Sequence, residues 1–94
     1  MKITNINGTS DNKCACGSWL MHWERFSRQK ASWCPVIECF KQDLVGSHVQ
    51  VDNGDDDTWY IYPLCRAHNQ SPATLDVSDA YTLVPANRRD TCER

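Results

Sequence analysis

No stretch of this 94-residue sequence approaches the ~20 apolar residues that cross a bilayer. Its first residues, Met1-Lys2-Ile3-Thr4-Asn5, lack the apolar core of a secretory signal. No membrane partner is therefore expected, and a cytoplasmic monomer with reduced thiols is. A surplus of positive charge is missing too: ten Lys and Arg face twelve Asp and Glu, a formal net charge of −2. Domains that hold nucleic acid through a generic basic footprint carry such a surplus. Only local basic clusters remain here, Arg25, Arg28 and Lys30 in one stretch and Arg88, Arg89 and Arg94 in another. Internal repeats and low-complexity tracts are absent, which excludes a repeat array. The chain is also short of core, because a protein of this size buries only about 60–65% of its unfolded surface and gains from a staple.

What the chain does carry is six cysteines, at positions 14, 16, 34, 39, 65 and 92. In a reducing compartment these read as metal ligands before they read as bridges. Cys65-Arg66-Ala67-His68 sets a thiol and an imidazole three residues apart, where the start of a helix points both the same way. With Cys34 and Cys39 they make up the four soft ligands that tetrahedral zinc takes. A metal held in this way supplies on the order of 10 kcal/mol, comparable to the whole stability of so small a domain. The four-residue gap between Cys34 and Cys39 is wider than the two of a usual zinc knuckle. Cys14 and Cys16, separated by one residue and followed by Gly17, form a competing knuckle. They either replace Cys34 and Cys39 at the same metal or build a second site with His22 or Cys92.

Along the chain, residues 1–13 are polar and read as a flexible tail, with Ile3 and Ile6 adding one edge strand. Residues 14–94 read as a single zinc-binding domain. Ser18 is placed to cap a helix running to about 29, in which Trp19, Leu20, Trp23 and Phe26 recur at helical spacing. His22 flanks that stripe as a packing residue. Leu44 to Val51 alternates as a strand, Val45, Val49 and Val51 on one face and His48 on the other. Asp52-Asn53-Gly54-Asp55-Asp56-Asp57 is a turn by composition. Trp59-Tyr60-Ile61-Tyr62 returns as the second strand of a hairpin, and Pro63 ends it. The helix from Cys65 is short, because Ser71-Pro72 interrupts it. Leu75-Asp76-Val77 and Tyr81-Thr82-Leu83-Val84 add short strands. The expected fold is a small zinc-stabilised α+β domain, a knuckle, a β-hairpin and a short helix, with an additional N-terminal amphipathic helix.

That order of knuckle, hairpin and ligand-bearing helix resembles the treble-clef zinc finger. Within it, Val45-Gly46-Ser47-His48-Val49 and Tyr62-Pro63-Leu64-Cys65-Arg66-Ala67-His68-Asn69 resemble the HNH endonuclease family, over about residues 34–70. The resemblance implies a strand histidine, His48, as general base on a water, a role suited to a group that titrates near neutrality. It implies Asn69 as ligand of a Mg²⁺ on the scissile phosphate. Cys65 and His68 are then structural. Ser47 stands where family members commonly carry an acidic residue or histidine, Asn69 replaces a histidine, and Asn53 lies early in its loop. His48 has two other readings, as a zinc ligand itself or as a partner orienting one.

The catalytic set is thus incomplete. The preferred reading is a non-catalytic or vestigial HNH-like module that binds nucleic acid or protein through exposed aromatics, four Trp and three Tyr being many for this core. The alternative is a metal-dependent endonuclease using His48 as base. Redox chemistry at Cys14-Ala15-Cys16 is the least favoured, since thiol redox motifs place two residues between the cysteines.

Overall fold

The computed structural model describes residues 1–6, 18–52 and 58–86. Cys14, Cys16, Asn53 and Cys92 lie outside the described residues, as does most of the acidic turn. The described chain folds as α+β. Strand β1 (Lys2–Asn5) is followed by helix α1 (Trp19–Ser27), the hairpin strands β2 (Leu44–Val51) and β3 (Tyr60–Cys65), a four-residue helix α2 (Arg66–Asn69), and short strands β4 (Thr74–Asp76) and β5 (Val84–Pro85). The strands form one antiparallel sheet in the order β4-β1-β2-β3-β5. None of the helices is long and apolar enough to cross a membrane, among the described residues.

Two elements differ from the sequence reading. The expected edge strand around Ile3 is an internal one, β1, paired with β2 on one side and β4 on the other. Its Ile3 is fully buried opposite Val51 and Leu75. Pro63 does not end the return strand, which continues to Cys65. The Arg66 N–H reaches the Asp43 carbonyl on the β2 side, so by strand alternation position 63 turns its nitrogen away from β2. There β5 has already stopped, because it pairs only with Tyr60 and Ile61. A missing N–H therefore removes no ladder bond at this position.

The two faces of the sheet carry separate cores. On one, Ile3, Val49, Tyr62, Leu64, Leu75 and Val77 pack with Cys34 and Cys65. On the other, α1 presses Trp23 against Ile61 and Val84. Ser18 caps α1 by accepting a hydrogen bond from the Met21 N–H at 3.1 Å. The helix stops at Arg28, whose left-handed backbone (φ 60°) still donates its N–H to the Glu24 carbonyl. Of the expected stripe, Trp23 is buried and Trp19 and Leu20 pack against its core, with His22 buried beside them as a packing residue; Phe26 differs and is exposed. The segment after β4 is strapped down by aromatic polar tips. Trp23 Nε1 donates to the Thr82 carbonyl at 2.6 Å, and the Tyr62 hydroxyl donates to the carbonyls of Ser78 (2.7 Å) and Tyr81 (3.1 Å).

Helix α1 approaches the sheet closely at Gly46. A Cβ there would lie 2.7 Å from the Trp19 carbonyl oxygen, and closer still to the Trp19 carbonyl carbon and the Leu20 amide nitrogen. All three are backbone atoms and cannot turn aside. Gly46→Ala is expected to cost about 3 kcal/mol, the upper range for overpacking, measured by urea denaturation. A loss below about 0.5 kcal/mol would mean that α1 is not seated on Gly46.

Candidate metal centre

Cys34, Cys39, Cys65 and His68 come together in space, their ligand atoms all within 4.8 Å of one another. They arrive from two places, a loop that begins at Cys34 and the junction of β3 with α2. The loop closes where the Cys34 N–H donates to the Lys41 carbonyl at 2.8 Å. Inside it the Cys39 N–H bonds the Val36 carbonyl at 2.9 Å, and Glu38 takes a left-handed backbone (φ 66°). That tight turn accommodates the wide gap between the two cysteines. The Ile37 N–H donates to Asp76 and the Ser78 N–H to Pro35, fixing the loop to the end of β4. At the other place, Cys65 is the extended residue just before α2, and His68 lies one turn into it.

The distances suit a single small ion. Cys34 Sγ lies 3.6 Å from His68 Nδ1, Cys65 Sγ lies 3.2 Å from the same nitrogen, and Cys39 Sγ lies 4.0 Å from Cys65 Sγ. A tetrahedral zinc with bonds of ~2.3 Å to sulfur and ~2.0 Å to nitrogen sets its ligands roughly 3.5–3.8 Å apart. All three cysteines are free of disulfides. Burial pushes the Cys34 thiol up to about 12, against the Cys65 and Val36 backbone N–H groups that favour its thiolate. Burial also acts to raise Cys39. There the Lys41 backbone N–H, hydrogen bonds from Cys34 and Cys65, and the Lys41 ammonium hold the thiol below its ordinary value. Backbone donors aimed at sulfur are what bound thiolates use, so the donor set fits a thiophilic divalent cation. Such an ion, when bound, supplies the positive charge that lets three clustered sulfurs shed their protons.

The other sequence-nominated residues are placed differently. His48 is outside the ligand cluster. By strand alternation it faces α1, on the side opposite Val49 and Ser47. Its ring sits edge-on to Trp19, centroids 4.4 Å apart, and it is only 7% exposed. Asn69 is the half-buried last residue of α2. His22 is fully buried beneath the same Trp19, and its Nε2 lies 3.1 Å from the Pro85 carbonyl, which makes Nε2 the protonated, donating nitrogen. Among residues the sequence did not nominate, Trp19 matters as the cover over both histidines and Asn5 as a contact of α2. Neither carries a local signal for that role, since each depends on a pairing across the fold. No family model, curated protein or solved structure matches this chain.

Burial holds both His22 and His48 below their ordinary value, and His48 is lowered further by His22. The unfolded chain therefore binds protons that the folded chain refuses. The stability these rings contribute is complete above pH 6.5 and is lost as the pH falls below that value. Imidazole titrations followed by NMR are expected to give both rings midpoints below 6.5. A midpoint at or above that for His48 would mean its ring is solvated.

Proposed function

We propose that this chain is a zinc-stabilised binding module. Cys34, Cys39, Cys65 and His68 hold one structural Zn²⁺, and the domain so ordered presents exposed aromatic side chains to a protein or nucleic-acid partner. The observation that carries the reading is the convergence of three thiols and one imidazole, all within 4.8 Å, from segments far apart in sequence. Four donors fill a tetrahedral shell, the mark of a structural zinc rather than a catalytic one, which keeps a position open. The order of ligand-bearing loop, β2–β3 hairpin and ligand-bearing helix supports a treble-clef arrangement, and with it kinship to HNH-like domains. Phe40 at 75% exposure and Trp59 at 44% support contact with a partner, because large apolar rings in water are costly.

The endonuclease alternative assigns His48 as general base and Asn69 as ligand of a catalytic Mg²⁺. A general base must reach a water beside the scissile phosphate. Burial of His48 under Trp19 weighs against that, as does the opposite face it takes from Ser47 and Val49.

Zinc titration tests the ligand set, and plasmid cleavage separates the two readings. Cys65→Ser and Cys34→Ser are expected to abolish tight zinc binding, whereas the double variant Cys14→Ser/Cys16→Ser retains it. Retention in the first pair with loss in the second would move the site to the N-terminal cysteines and overturn the assignment. Plasmid incubated with the protein and Mg²⁺ or Mn²⁺ is expected to stay supercoiled. Nicking that disappears in His48→Ala would establish the nuclease instead.

A further inference from the structure

We infer that Asn5 is a positioning residue of the metal centre, holding the His68-bearing helix from a strand more than sixty residues away in sequence. The inference rests on the zinc reading and deepens it. Helix α2 is only four residues long, has no side-chain cap at its start, and buries none of its own residues. A helix of that length does not hold itself together in water, yet it must keep an imidazole in line with three sulfurs. The Asn5 amide supplies the missing restraint. Its Nδ2 donates to the His68 carbonyl at 2.8 Å and to the Ser71 carbonyl at 3.1 Å. The His68 carbonyl also accepts from the Ser71 N–H at 3.1 Å, so both of its lone pairs are engaged. The ligand residue is thereby fixed by its own backbone on one side and by cysteine sulfur on the other.

Asn5 is well placed to be rigid. It is 8% exposed and pairs with Val49 in the internal strand β1. Its Oδ1 is buried without a hydrogen-bond partner among the described residues. An apolar side chain would carry no such desolvation cost. What an amide offers here that an apolar group cannot is its pair of donors, and both go to the carbonyl end of α2. Outer partners that orient metal ligands change metal affinity by about 10–100-fold when removed.

The test replaces zinc with Co²⁺, whose absorption reports ligand identity and geometry at saturation, independently of folding cost. Asn5→Asp keeps the shape and removes both donors; Val84→Ala is the control, a buried β5 residue that destabilises from the core packed with Trp23 and Ile61, apart from the cysteine cluster. At saturating Co²⁺, Asn5→Asp is expected to show an altered ligand-field spectrum and about 10–100-fold weaker binding. Val84→Ala is expected to keep the wild-type spectrum. Identical spectra for Asn5→Asp and wild type, with affinity no weaker than that of the control, would overturn the inference. Failure of the wild-type chain to bind Co²⁺ at all would instead overturn the zinc reading. Should Asn5→Asp fail to fold, hydrogen exchange of the wild-type Asn5 side-chain amide decides the matter. Zinc is expected to slow this exchange more than it slows the backbone amide of Ile61 in the core against α1, and equal slowing at the two would refute the coupling.

Discussion

Three thiols and an imidazole within 4.8 Å of one another are a constraint that the rest of this fold has to satisfy. Without a cation, clustered sulfurs cannot all ionise: each thiolate repels the next, and burial, with the neighbouring Cys39 and Cys65 thiols, pushes Cys34 up to about 12. With a divalent cation the same crowding becomes cohesive. The ion then ties the loop from Cys34, which backbone hydrogen bonds fix to the end of β4, to the junction of β3 with α2. Because Cys34 and Cys65 also sit in the larger apolar cluster beside Val49, Tyr62 and Leu64, the centre is an extension of the core. A domain with little apolar surface to bury can reach ordinary stability this way.

The sheet separates this centre from a second buried assembly. Beneath α1, Trp19 packs against both His22 and His48, and Gly46 lets the helix backbone settle onto β2. Burial favours the neutral form of both imidazoles. They behave as core groups with a polar edge, and His22 finds its partner in the Pro85 carbonyl. Division of labour follows from strand alternation: on β2, Val49 faces the cluster that includes the cysteines, and Gly46 and His48 face α1. A one-residue slip in register would exchange the two environments, which is why buried side chains on both faces pin it.

How much of this was legible in the sequence depends on how local each cause is. Ligand chemistry is local, and Cys65-x-x-His68 could be placed on one helical turn from spacing alone; the cap at Ser18 and the strand from Leu44 to Val51 were equally plain. Sheet order was not, because β1 finds its partners more than forty residues away, and a short polar segment reads as a tail. Pro63 was misleading for a similar reason. Its effect on a strand depends on whether a neighbour occupies the side its nitrogen faces, and only the early end of β5 frees it. The α1 stripe was legible except at Phe26, which is left outside while His22, with its carbonyl partner, is buried. The part played by Asn5 left no trace in its neighbourhood at all.

The central claim, one zinc ion bound by these four side chains, is tested most directly by X-ray absorption at the zinc edge of the purified protein. The account predicts a first shell of three sulfurs at about 2.3 Å and one nitrogen at about 2.0 Å, with the nitrogen contribution lost in His68→Ala. A shell of oxygen donors, or a spectrum unchanged in His68→Ala, would contradict it.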